Sequence, residues 1–296
     1  MIEIKSKAAF IFYMKIFEIQ TQKVLALTKI SLANYVINPY IGCQYGCLYC
    51  YAKYLKRSVK QSETRGWGEF VNVKINAVEV LKKELEKLNI SAAENKPVVM
   101  LGSITEVYQP LEKKYKLTEQ ILKILIDFQI PTVILTRSNL ILRDIELLKK
   151  LPKVSVFFTI TSNNSLISQH FENQSPDYNT RLETIKKLRE NNINVWAHIG
   201  PIIPYFTDTL VLIKDLKNIV SKIEFEALNT TTAPYNIVVE KLKNIDINKA
   251  VKFMKLYQSS ETFNEYWHTE KNNIIFALKN TDIKTHFSFP QLNEYF

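Results

Sequence analysis

Short β-branched runs alternate with amphipathic helical patterns from about residue 34 to 230, and this alternation limits the fold more than any other feature of the chain. The runs Tyr35 to Asn38, Val98 to Gly102, Thr132 to Thr136, Val154 to Thr161, Asn194 to Ile199 and Ile223 to Leu228 read as strands. Between them Val78, Leu81, Leu85 and Leu88 recur at helical spacing, as do Ile121, Leu122, Leu125 and Ile126, and then Leu182, Ile185 and Leu188. Thr180 with Glu183 supplies a capping box for the last of these helices. Parallel strands need a crossover between them, so the pattern predicts βαβ units and an α/β fold. Residues 1–33 and 231–296 fall outside the alternation and are assigned as N- and C-terminal extensions packed on a core of residues 34–230.

All three cysteines of the 296-residue chain, Cys43, Cys47 and Cys50, lie in the stretch NPYIGCQYGCLYCYA at residues 38–52. The spacing is C-x-x-x-C-x-x-C, with Tyr49 just before the last cysteine. Three thiolates so close in sequence can hold three irons of a cubane [4Fe–4S] cluster and leave the fourth without a protein ligand. A zinc site normally takes four ligands, and His170, His198, His268 and His286 are all more than a hundred residues away. A disulfide framework is disfavoured by the odd count. Gly42 and Gly46 suit a loop wrapping closely around an inorganic core. A non-catalytic module that holds a cluster or zinc for structure or docking is the alternative from another class.

The cysteine spacing and Tyr49 resemble the signature of the radical S-adenosylmethionine (SAM) enzymes. Further blocks narrow the likeness: Trp67-Gly68, Val73-Lys74, LGSITEVYQP at 101–110, LTRSNLILRDIELL at 135–148 and GPIIP at 200–204. Together, over roughly residues 35–210, they look like the spore photoproduct lyase-related, DNA repair photolyase-like branch. The resemblance implies a partial (β/α)6 TIM-type barrel, whose active site lies at the C-terminal ends of the strands. It also implies a [4Fe–4S] cluster, SAM chelated at the open iron, and reductive cleavage to a 5′-deoxyadenosyl radical that abstracts hydrogen. A low-potential electron donor of flavodoxin or ferredoxin type is the implied partner.

Carried over by that likeness, Cys43, Cys47 and Cys50 ligate the cluster and Tyr49 contacts the adenine or its surroundings. Ser103 and Thr105 meet the methionine end of SAM. Arg137, where relatives commonly have lysine, pairs with the SAM carboxylate, and Arg181 is a second carboxylate candidate. Thr159 and Thr161 bind ribose hydroxyls or the methionine group. Glu106, Tyr108 and Gln109 point to the substrate mouth. The chain departs from the pattern at Glu106-Val107 (Asp-Pro in relatives), at Phe171-Glu172-Asn173 (Leu-Glu-Pro) and at Tyr205 (glycine). Spore photoproduct lyase uses an additional cysteine as hydrogen donor, and this chain has none, so a tyrosine such as Tyr108 is the candidate relay.

The lack of a further cysteine excludes auxiliary clusters held by thiolates, and with them sulfur insertion and multi-cluster maturation. A hydrophobic content of 46% is enough for a large core. Met1 to Ile30 holds no uninterrupted apolar run, so no signal peptide or membrane span is expected, and the cytoplasm suits an oxygen-sensitive cluster. A net charge of +10 fits a polyanionic partner such as DNA or a nucleotide, while a small metabolite or peptide stays open as substrate. Lys53, Lys56, Arg57 and Lys60 either form a solvated face or steer a phosphate backbone. His198 lies inside a strand pattern, where a hydrogen-bonded core histidine is expected.

Overall fold

The structure is a computed structural model and describes residues 14–55, 66–90, 95–172, 174–230 and 233–289. Its strands are β1 (Lys15–Ile19), β2 (Leu25–Leu27), β3 (Tyr35–Ile37), β4 (Tyr40–Gly42), β5 (Phe70–Lys74), β6 (Val99–Leu101), β7 (Thr132–Thr136), β8 (Val154–Ile160), β9 (Asn194–Ile202), β10 (Lys222–Ala227) and β11 (Lys284–Ser288). Eight of them form one sheet in the order β11-β10-β9-β8-β7-β6-β3-β2. From β3 to β11 every pairing is parallel, and β2 closes the edge antiparallel to β3. The six strands expected from sequence are β3 and β6 to β10. A second sheet, β1-β5-β4, stands beside the first strand of the core. The segments assigned as extensions therefore supply strands to both edges of the main sheet.

Helices cover one face of this sheet. Ala77–Lys87 buries Ala77, Leu81 and Leu85, Leu117–Asp127 buries Ile121, Leu122 and Leu125, and Tyr178–Glu190 buries Ile185 and Leu188. Each large aliphatic side chain so buried contributes roughly 1.5–3 kcal/mol, which is what holds short strands in register. The odd member is Leu88, which follows its helix and is half exposed. Against these helices pack Leu101, Ile134, Phe158, Ile199 and Phe225. Residues one position away in the strands face inwards, where Met100, Val133 and Phe157 form a separate apolar cluster with Val36 and Trp196.

One local expectation is corrected. The helix Tyr178–Glu190 is capped by Asp177, whose carboxylate accepts from the Thr180 N–H at 2.8 Å, so Thr180 already lies inside the helix, and Glu183 pairs instead with Lys186 at 2.7 Å. Gly42 and Gly46 do have left-handed backbones, φ 89° and 55°. Neighbouring chain crowds both: a Cβ on Gly42 would lie 2.4 Å from the Phe70 carbonyl, and one on Gly46 2.9 Å from the Gly68 Cα. Tyr205 sits at φ 68°, a region that favours glycine and accounts for the glycine of the family pattern.

Candidate active site

The cysteines follow β4 in a loop that the next strand end ties down. The Gln44 N–H donates to Gln109 Oε1 at 2.9 Å, the Leu111 N–H donates to Gln44 Oε1 at 2.6 Å, and the Thr105 hydroxyl donates to the Gly42 carbonyl at 2.6 Å. Beneath it, Asn38 Oδ1 accepts from the N–H groups of Ser103 and Ile104, at 3.0 and 3.1 Å, and its amide donates to Ser103 Oγ. These bonds join the ends of β3 and β6, where the parallel fold opens its C-terminal mouth.

Cys43, Cys47 and Cys50 line one cavity at that mouth, with Tyr45 and Trp67 packed around them. All three are free thiols. Burial pushes the Cys43 and Cys50 thiols up to about 12, and the neighbouring cysteines add to the shift, since three negative charges in one space oppose each other. Cys47 is also raised by burial, against the pull of Arg137, whose Nη1 is 3.4 Å from its sulfur. Thiolates are the form that binds metal, so a positive inorganic core facing these sulfurs would take up the charge that burial now suppresses. In its chemistry this soft sulfur donor set fits an iron–sulfur cluster. Among the described residues, no three His, Cys, Asp or Glu side chains are gathered as a ligand set for a single metal ion.

Behind the thiols a single carboxylate organises the strand ends. Glu172, 2% exposed, accepts through Oε1 from the hydroxyls of Tyr49 and Thr161 and from Arg137 Nη1, and through Oε2 from Arg181 Nη2 at 2.5 Å. Arg137 Nη1 also donates to the Tyr49 hydroxyl at 2.7 Å. Two buried guanidiniums against one carboxylate leave a positive environment beside the sulfurs, which suits an anionic occupant. Glu106 faces the other way: its carboxylate accepts from the Thr136 hydroxyl at 2.7 Å and from the backbone N–H groups of Arg137 and Tyr108 at 3.0 and 2.9 Å. Burial raises its carboxyl above the ordinary range.

The cavity brings together the three cysteines with Tyr49, Ser103, Thr105, Arg137 and Thr159, and Glu106 is also on its wall. Four expected site residues are elsewhere. Tyr108 is fully buried in the helix-covered core, with the Arg143 guanidinium 6.0 Å from its ring centre, because the chain turns back at Glu106. Burial, and then the Asp144 charge, hold its phenol well above the usual tyrosine range. The tyrosines on the cavity are Tyr45, Tyr49 and Tyr51. Gln109 is likewise buried and serves the cysteine loop. Thr161 and Arg181 do not line the cavity and belong to the Glu172 network. Lys56, Arg57, Lys60 and Asn173 lie outside the described residues, while Lys53 sits over the Tyr54 ring at 4.8 Å. Not anticipated as site residues are Glu172 and the pair His198 and Glu226, which do line the cavity in the case of the last two.

A family model described as the radical SAM superfamily matches residues 37–216. The chain belongs to the radical SAM superfamily. An uncharacterized protein of Methanocaldococcus jannaschii is 37% identical over 215 residues, which cover 73% of this chain and 78% of that one. An uncharacterized protein of Mycobacterium tuberculosis is 28% identical over 60% of this chain, and the match spans about half (52%) of that relative. A radical SAM Nα-GlyT isomerase of Pseudomonas phage M6 is 25% identical over 56% of this chain and 32% of its own length. Among solved structures, spore photoproduct lyase complexed with dinucleoside spore photoproduct superposes with a TM-score of 0.60 at 14% identity, covering 92% of this chain and 81% of that chain. A mutant of that lyase with bound AdoMet and the dinucleoside gives 0.56 at 15% identity, over 81% and 71% of the two chains. At such identity the shared property is the fold, and it is the radical SAM fold. Membership implies an enzyme that uses an iron–sulfur cluster and SAM and needs a reductant. Among the described residues no helix is long and apolar enough to cross a membrane.

Proposed function

We propose that the protein is a radical SAM enzyme whose Cys43, Cys47 and Cys50 hold a [4Fe–4S] cluster and which acts on a nucleic-acid lesion or modified nucleotide. The observation that carries the reading is the set of three free cysteines on one cavity wall, Cys43 and Cys47 buried and Cys50 partly exposed, with Arg137 3.4 Å from the Cys47 sulfur. When bound there, a reduced cluster supplies the electron that splits SAM. The chain's own residues do the rest. Arg137 offers positive charge for the SAM carboxylate, and Glu172 fixes its direction by holding the same guanidinium. Ser103 and Thr159 present hydroxyls to the cavity, and Tyr49, anchored by Arg137 and Glu172, gives an aromatic wall.

Arg181, whose charge is spent on Glu172, acts in this reading by orienting the network rather than by touching SAM. The nucleic-acid part rests on the net charge of +10 and on the dinucleoside bound to the lyase of similar fold. A flavodoxin- or ferredoxin-type donor is the proposed reductant. The test is anaerobic reconstitution: iron and sulfide should load to about four per chain, and dithionite with SAM should yield 5′-deoxyadenosine. Zinc in the purified protein without SAM turnover would instead make it a binding module.

A further inference from the structure

On the same cavity as the thiols stands a pair of side chains to which the reading above gives no role. His198 of β9 and Glu226 of β10 both line the cavity, with Nε2 2.9 Å from Oε2. Strand alternation aims them inwards, since Ala197, Ile199, Phe225 and Ala227 all join the helix-covered core. Phe157 packs edge-on against the imidazole, ring centres 5.1 Å apart. The backbone is also shaped around the pair: a Cβ on Gly200 would lie 2.5 Å from His198 Nε2 and 3.0 Å from Glu226 Cβ. Gly200 does not occupy the left-handed region, so glycine is needed there for room and not for its backbone angle.

The two partners differ in access. The His198 side chain is 15% exposed, whereas that of Glu226 is 47% exposed. With Oε2 turned to the imidazole, Oε1 is the atom presented to the cavity, and an ionised carboxylate only accepts hydrogen bonds. Tyr51 stands at the same mouth, its ring half exposed and its hydroxyl donated to the Ser103 carbonyl. Glu226 and Tyr51 line the same cavity. An aromatic face and a carboxylate acceptor on one cavity match a flat heterocycle that stacks while offering an in-plane N–H, as nucleobases do.

We propose that His198 and Glu226 form the substrate-reading pair of this enzyme, with Glu226 accepting from a nucleobase N–H and His198 holding the carboxylate in position. The proposal rests on the reading above and adds how the base is selected. It predicts that the enzyme discriminates against a base whose N–H is methylated.

The experiment uses the reconstituted, SAM-loaded chain and measures dissociation constants for thymidine and cytidine dinucleotides, each with and without full methylation of the base N–H donors, N3-methyl on thymine and N4,N4-dimethyl on cytosine. Methylation should weaken binding to the wild type by about tenfold or more for at least one base, as expected for a lost hydrogen bond to a charged group. Glu226→Met, which keeps chain length but removes the acceptor, should bring that ratio close to one. His198→Phe should lower the ratio part-way, and His198→Gln, which retains a donor for Glu226, should restore it. Equal binding of methylated and unmethylated forms by the wild type overturns the proposal, as does failure to bind any of the dinucleotides. A Glu226→Met chain with the ratio intact but SAM affinity reduced would assign the pair to the cofactor, and overturns it too. Failure of the wild type to cleave SAM would overturn the functional reading instead, and is scored separately on 5′-deoxyadenosine.

Discussion

The inner face of the main sheet changes character half-way across. From β3 to β8 it carries Val36, Met100, Val133 and Phe157, which fill the interior with their own side chains. Across β9, β10 and β11 the same face carries His198, Lys222, Glu224, Glu226 and His286, joined by the His198–Glu226 and His286–Glu224 pairs and by Lys222 over the Trp196 ring at 5.1 Å. An apolar lining satisfied by packing acts as scaffold, and the polar groups on the cavity come from Ser103 and Arg137, just past the ends of β6 and β7, and from Thr159, next to last in β8. A polar lining that packing does not consume is available to a ligand. In the function proposed above, scaffold and cofactor groups gather on one half of the sheet and recognition groups on the other.

This division can be broken or sharpened by substitution. The largest effect belongs to the thiol wall: alanine at Cys43, Cys47 or Cys50 should abolish 5′-deoxyadenosine formation, followed chromatographically under anaerobic reduction. Next comes Glu172→Gln, which leaves Arg137 and Arg181 buried without their carboxylate and should cost about 3–5 kcal/mol in urea unfolding. Phe157→Ala, in the packed half, should cost a similar ~3–5 kcal/mol by the cavity it opens. A loss below ~1 kcal/mol there would mean that the first half is not scaffold. Gly200→Ala forces a methyl against His198 and should cost about 1–3 kcal/mol while displacing the pair. Smallest is Glu224→Gln, whose partner His286 is more than half exposed; a change under ~1 kcal/mol is expected, and a larger one would make the polar half structural.

The core strands were legible because β-branched runs such as Thr132–Thr136 stand between clear helical periods. What escaped were β1, β2, β4, β5 and β11; of these β4 is three residues hidden inside the cysteine motif, and β11 an edge strand whose residues are mostly exposed and so carry no burial pattern. The thiols could be read from spacing alone, since their chemistry is local. Glu172 could not, because its importance comes from four partners, Tyr49, Arg137, Thr161 and Arg181, brought together only by folding. Tyr108 was misplaced for a related reason: position after a strand was visible, but the turn in which Glu106 bonds back to Thr136 and Arg137 was not. A signal for Glu226 did exist in the polar–apolar alternation of Lys222 to Ala227, which marks a strand with one uncovered face.

Glu172 has one more consequence. Because one carboxylate grips the cysteine loop through Tyr49, β8 through Thr161, the end of β7 through Arg137 and the helix Tyr178–Glu190 through Arg181, any tug on that loop reaches four separate stretches of chain at once. Metal loading should therefore slow amide exchange in the first turns of that helix, so a deuterium clock on a segment without a single sulfur would report whether the thiols are filled.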